Sequence, residues 1–304
     1  MNRRFASAMR INRTTKELLA RILLRPLTIL VSLGVLAIGV VLVAKSTPLL
    51  ASNSLQVLLL SPHWHPSRGE FGYYPFIVGT VAVTLLSMAI AGPICLLTSV
   101  YISEYATKRI HDLVISMIDL LAGVPSVVIG LWGVLVIVPA IRYVASLAGY
   151  SSSGYSVLAG GIVLAIMVFP SVISVSQEVL RNVPFSMREA SFSLGATKWQ
   201  TVKHVVVRKS MGGILAAIIL GFGRAFGETM AVLMVVGNVA KIPTSLFDPA
   251  YPLPALIANN YGEIMSIPLY DSALLFAAVL LLLVVAGFTL MGRVILVSVQ
   301  KRSA

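Results

Sequence analysis

Residues 178–208 read EVLRNVPFSMREASFSLGATKWQTVKHVVVR. On either side lie apolar segments long enough to cross a bilayer, so this polar stretch is a connector with unusual content. Ser186-x-x-Glu189 fits a capping box, in which the hydroxyl accepts from a free helical N–H and the acid reaches back to the cap. Thr197-x-x-Gln200 fits a second. Gly195 lies between them, where a first helix needs a residue tolerant of the left-handed region. The spacing predicts helix, Gly turn, helix at a membrane surface. The competing reading is a plain solvated connector.

Composition fixes the class. Hydrophobic residues make up 58% of the 304 and charged residues 11%, which excludes an ordinary soluble domain. The single cysteine, Cys95, sits in an apolar run, cannot form an internal disulfide, and reads as a packing residue.

The chain opens on a basic tail, residues 1–25, expected to be disordered and held near anionic lipid. Residues 26–44 carry no charge and are about long enough to span. A cleaved signal peptide is the competitor; the long basic region and the poor Leu49-x-Ala51 site favour an uncleaved first span. Loop 45–74 is polar, and its His63 and His65 lack further metal ligands nearby, so they read as loop residues. The second span is expected at 75–101 and the third at 113–140, kinked near Gly123 by Pro125. That kink is either structural or part of a transport path, since broken helices often line such paths. The fourth span is expected at 155–176, the fifth at 211–239 and the sixth at 272–291. Between the last two lies a loop, 240–271, with five prolines and with Asp248, Glu263 and Asp271.

Six spans put both termini on one side. That side then carries 18 of the Lys and Arg residues and the other side 4, while Arg224 lies within a span. The bias places the 18 in the cytoplasm. It also accounts for the net charge of +12 without nucleic acid.

The fifth span contains Gly221-Phe222-Gly223-Arg224-Ala225-Phe226-Gly227-Glu228-Thr229. Gly223-x-x-x-Gly227 lets another helix approach closely. Arg224 and Glu228, four apart on a helix, share a face. A charge near the midplane costs at least about 2.5–3.5 kcal/mol and needs a partner or a water-filled cavity. An Arg fork suits an oxyanion, and Glu228 could hold that fork while the site is empty. The alternative is a structural ion pair. Asp119, near the cytoplasmic end of the third span, is a weaker candidate.

Glu189-Ala190-Ser191, three residues and Gly195 resemble the EAA-x3-G signature of bacterial ABC-importer permeases. The resemblance implies an all-α membrane protein with six transmembrane helices in the type I ABC-importer permease fold. It also implies that Glu189, Ala190 and Gly195 belong to a coupling loop, 178–209, docking on an ATPase. Where the family continues with I-x-L-P, this chain has Val205-Val206-Val207-Arg208, so Arg208 replaces the proline. Trp64-His65-Pro66, Phe71-Gly72 and Pro75-Phe76-Ile77-Val78-Gly79-Thr80 are similar to the PstC type of phosphate-importer permease. So are Pro125-Ser126 with Gly130-Leu131-Trp132-Gly133, and above all GRAFGETMAVLMVVGN.

The resemblance spans roughly residues 55–292 and implies a permease domain over 75–292, preceded by the first span and periplasmic loop, 26–74, and followed by a cytoplasmic tail, 293–304. It puts Arg224 and Glu228 on a phosphate pathway in the bacterial inner membrane. The implied partners are a second, homologous permease, ATPase subunits holding ATP and Mg, and an extracytoplasmic phosphate-binding protein. No G-x-x-x-x-G-K-[ST] is present and no serine, cysteine or metal constellation suggests enzyme chemistry, so this chain is expected to be no enzyme and to bind no cofactor. A permease for molybdate or sulfate is the nearest alternative. A channel or secondary transporter, which needs no ATPase, is the alternative from another class.

Overall fold

The computed structural model describes residues 13–261 and 269–303, with side chains over 24–261 and 269–299. Arg3, Arg4 and Arg10 of the basic tail and Glu263 of the last loop lie outside the described residues. Among the described residues, six helical segments are long and apolar enough to cross a membrane: Leu24–Ser52, Tyr74–Glu104, Ser126–Leu147, Val157–Arg181, Lys198–Gly227 and Tyr270–Val299. The number of spans agrees with the sequence reading, but several boundaries move.

Helix α1, Arg13–Ser52, begins inside the basic stretch and continues past Lys45 and Pro48, so residues 13–25 are helical rather than a tail. The helix tolerates Pro48 because the Thr47 hydroxyl donates to the Ala44 carbonyl at 2.7 Å, the group that Pro48 leaves without an N–H. Loop 45–74 is likewise more ordered than expected. After α2, Leu55–Leu60, strands β1 (Trp64–His65) and β2 (Glu70–Phe71) form a hairpin whose register pairs Trp64 with Phe71. The Trp64 ring meets Phe71, Tyr73 and Phe76 edge-on, with centroids 5.0–5.6 Å apart. Gly72 is required because a Cβ there would lie 2.3 Å from the Ser61 carbonyl oxygen. The flanking His63 and His65 are exposed, and no group of metal ligands occurs among the described residues.

Helix α3, Tyr74–Glu104, packs along α7, Val157–Arg181, the most enclosed of the spans. The expected third span is two separate helices. Amphipathic α4, Lys108–Gly123, ends where Val124 and Pro125 turn extended, because Pro125 disfavours the helical region at the preceding residue. The spanning unit is α5 (Ser126–Trp132), a π-turn (Gly133–Ile137) and α6 (Val138–Leu147). Asp119 lies on α4, exposed.

Helix α8, Phe185–Ser193, is followed by α9, Lys198–Thr201, a π-turn at Val202–Val206, and α10, Val207–Gly227. With Arg208 in place of proline the backbone N–H is kept, and α9 runs through the π-turn into α10 as one 30-residue helix. The fifth span therefore starts at Lys198 and stops at Gly227, not at 239. Short α11, Met230–Val235, follows, and then a compact loop leads to α12, Leu253–Asn260. Helix α13, Tyr270–Ser303, continues through the expected C-terminal tail and packs on α1 and α10.

Candidate substrate pathway and coupling hairpin

The α8–α9 hairpin closes as the Gly195 reading requires, though only one of its two start signals forms. Gly195 has φ +80°. Its N–H donates to the Phe192 carbonyl at 2.9 Å and the Ala196 N–H to Ser191 at 3.2 Å, the paired bonds of a Schellman motif. The Thr197–Gln200 capping box is present in both directions. The Ser186–Glu189 box is not: Pro184 caps α8, and the helix begins at Phe185, one residue before the serine. Proline fixes the entry and its ψ is extended, so Ser186 is already inside the first turn.

Sequence reasoning counted Arg188 only as a positive charge. In the fold its guanidinium is 13% exposed and donates to Glu104 Oε1 at 2.8 Å, where the carboxylate side chain is 9% exposed. It also donates to the carbonyls of Leu180, at 3.2 Å, and Val183. It thus adds a charged donor to two carbonyls at and just past the end of α7, where Leu180 already accepts from the Val183 N–H, while neutralising the last residue of α3. On the other arm, Lys198 Nζ lies 4.7 Å from the centre of the Tyr105 ring. No periodicity marks these partners, which lie 84 residues or more away in sequence. Beside them is a cavity of about 480 Å³, lined by Glu104, Arg181, Phe185, Phe192 and Lys198. Phe185, Leu194 and Trp199 expose 67%, 89% and 58% of their surface, although they flank a membrane-embedded bundle.

At the far end of α10 the expected Arg224–Glu228 pair is absent. Helix α10 ends at Gly227, and Glu228 is its cap, with ψ 124°. The i, i+4 geometry therefore does not apply across this step. Arg224, exposed in the last turn, forms no hydrogen bond or ion pair among the described residues. Glu228 turns inward, half-buried, and borders a small cavity with Thr80, Thr84, Pro252 and Pro254. Its Oε1 accepts from the Ala231 N–H at 3.4 Å.

The two faces of α10 differ sharply. A Cβ added at Gly221 would meet Val172 of α7 at 2.6 Å, and Phe226 packs on Phe288 of α13 with centroids 4.8 Å apart. On the opposite face, Leu220, Gly223, Arg224 and Gly227 follow the helical repeat. A Cβ at Gly223 or Gly227 would meet nothing within 4 Å. The close helix approach expected at these glycines does not occur among the described residues.

The loop after α11 covers the bundle end remote from the hairpin. Asp248 Oδ2 accepts from the Thr244 hydroxyl at 2.8 Å and from the Thr244 and Ser245 N–H groups at 2.9 Å each. The Thr244 hydroxyl, then its N–H, holds the carboxyl below its ordinary range, with Lys241 contributing weakly. The Asp248 carbonyl accepts from Val157 N–H, fixing the loop on the start of α7.

Among the described residues the chain thus combines six membrane-length helices, a capped hairpin at one end of the bundle and one cation, Arg224, on an open face of α10. Residues 97–301 match the family described as binding-protein-dependent transport system inner membrane component, and the chain belongs to that family. It is 36% identical over 258 residues to the probable ABC transporter permease protein YqgH of Bacillus subtilis, covering 84% of this chain and 82% of that one. It is 31% identical to the phosphate transport system permease protein PstC of Pasteurella multocida, covering 98% and 97% of the two chains. The PstC protein of Xylella fastidiosa is 33% identical over 80% of this chain and 79% of its own. Among solved structures, an inward-facing methionine ABC transporter, MetNI, has a chain that aligns with TM-score 0.54 at 19% identity, covering 75% of this chain and 94% of that one; it supports the fold alone.

Proposed function

We propose that this chain is the membrane-spanning permease of an ATP-driven importer of inorganic phosphate in the bacterial inner membrane, with both termini in the cytoplasm. The observation that carries the reading is Arg224. Among the described residues it is unpaired, and it shares with Gly223 and Gly227 a helix face on which a Cβ added at either glycine would meet nothing within 4 Å. In a bilayer such a charge needs a partner or water. A second, related permease facing α10 would enclose it, and a hydrated oxyanion passing between the two would meet a fork able to donate two hydrogen bonds. Glu228 lies on the inner side of the same step and would contribute through the shape of the break. Helices α8 and α9 would dock on the ATPase, with Glu189, Ala190 and Gly195 as the docking segment. An extracytoplasmic binding protein would deliver phosphate at the Asp248 side. ATP and Mg would be held by the ATPase and no cofactor by this chain.

The test is uptake of radiolabelled phosphate into vesicles containing the assembled complex. Uptake that requires ATP and is not displaced by excess sulfate or molybdate is the expected result. Displacement by either would transfer the reading to that oxyanion, and uptake without an ATPase would make the chain a channel or secondary transporter. Reporters after Ala304 and at Ser193 should both read cytoplasm, and one in the loop following Gly149 should read outside; an outward-facing 304 fusion would break the six-span orientation.

A further inference from the structure

The two arms of the α8–α9 hairpin grip consecutive residues at the end of α3. Arg188 of α8 holds Glu104, and Lys198 of α9 covers the ring of Tyr105. Helix α9 is continuous with α10, which ends at Arg224 and the Glu228 break. Helix α3, clamped at the hairpin, carries Thr80 and Thr84 to the cavity beside Glu228. Two helices therefore run from the hairpin to the same step, one joined to it covalently and the other by a buried ion pair.

We infer that Arg188 and Glu104 are positioning residues that make α3 and α10 move as one body when the hairpin is displaced. The inference rests on the reading of α8 as the docking element. The burial of both groups is what makes the joint stiff. A guanidinium with three acceptors and a carboxylate sheltered from water cannot separate without leaving charge unpaired. Were the pair exposed, it would slide and exchange with water, and α3 would not follow. A purely structural role would hold the hairpin in place but would not change how much transport each ATP yields.

The experiment uses the complete complex in vesicles, with Cys95→Ala as background and spin labels on cysteines placed at the exposed positions Thr107 and Ser193. Glu104→Gln and Arg188→Gln are compared with the parent for assembled complex, ATP hydrolysis, phosphate moved per ATP and the distance distribution between labels. The parent should show one narrow distance with and without ATP. The variants should show a broadened distance and about a tenfold fall in phosphate per ATP, with hydrolysis within about twofold of the parent. An unbroadened distance, or a broadened one with normal phosphate per ATP, would overturn the inference. Because these changes strand a buried charge, Lys198→Gln is included, removing only the exposed contact with Tyr105. It should lower the ratio about twofold without loss of assembly, the size expected of a partly exposed cation–π contact, and no change in ratio or distance would count against the grip. A parent hairpin that bound no ATPase would remove the docking reading while the label distances still decided the clamp.

Discussion

The hydroxyls of Ser191 and Thr201 lie 2.9 Å apart across the α8–α9 hairpin. Ser191 also supplies the carbonyl that closes the Schellman turn, and Thr201 is the last residue of α9, 1% exposed. The hairpin is thus locked at its tip by backbone bonds and at its base by a side-chain bond. Its exposed apolar rings are carried on a rigid frame rather than on a loose connector.

The turn is the place to break that frame. A side chain at Gly195 would meet no atom within 4 Å, so its cost is conformational and not steric. Gly195→Val in the left-handed region should cost about 1 kcal/mol or more, and Gly195→Asn distinctly less. The Val variant should reach the membrane in normal amount but recover little ATPase on purification and show little uptake. Equal ATPase recovery from the two variants would argue against the turn as the determinant.

Glycine substitutions should separate the two faces of α10. Gly221→Val would drive its methyls into Val172, already 2.6 Å from a single Cβ, and should lower the yield and melting temperature of the permease alone. At Gly223 an added Cβ meets nothing within 4 Å among the described residues, so Gly223→Val should leave the isolated permease unchanged while weakening assembly with its partner. Thermal unfolding in detergent and co-purification distinguish the two. A destabilised Gly223→Val monomer would mean that the open face is occupied within this chain.

The sequence was legible where local chemistry decides the outcome. Gly195, the Thr197 box, the disturbance at Pro125, read as a kink and found as a full break, and the number of spans all follow from single residues or from uninterrupted apolar length. Boundaries were less legible, because a helix continues past a proline when something satisfies the carbonyl it leaves open, as Thr47 does for Ala44 in α1. The Arg224–Glu228 pairing was misjudged because helical spacing was extended across Gly227, where the helix stops. Arg188 and Glu104 were invisible because an ion pair made by tertiary contact has no sequence period.

Loss of the Asp248 charge should loosen the outer loop at low pH. Its carboxyl is held below the ordinary value, first by the Thr244 hydroxyl and then by the Thr244 N–H. The sign follows: a lowered folded pKa stabilises fully above the unfolded value of about 3.9 and the contribution disappears as pH falls through the folded one. Protection of the loop against a protease active in acid should therefore persist down to about pH 4 and fall below it. In Asp248→Asn protection should be lower at neutral pH and flat with pH across that range. A parent loop that loosened between pH 5 and 7 would point to a different group.

Arg224 offers the most direct test of the pathway. Since it has no partner among the described residues, Arg224→Gln strands no charge there, and the permease should fold and assemble normally. If the guanidinium meets phosphate in transit, uptake per assembled complex should nevertheless fall by at least about 100-fold, as expected when a charge-assisted, two-point contact is lost. Arg224→Lys should retain part of the activity at most, because an ammonium cannot reproduce the fork. Glu228→Gln keeps an acceptor for the Ala231 N–H and the shape of the break, so its effect should be smaller than that of Arg224→Gln. The double change should be no better than Arg224→Gln alone, whereas a structural pair formed only in the assembled complex would be largely restored by it. The charge-exchanged chain, Arg224→Glu with Glu228→Arg, moves the cation off α10 altogether, because position 228 lies beyond the helix end. It should be inactive. Near-normal phosphate uptake by the double or the exchanged variant, measured beside ATP hydrolysis, would withdraw Arg224 from the pathway and leave it a structural charge at the interface between permeases.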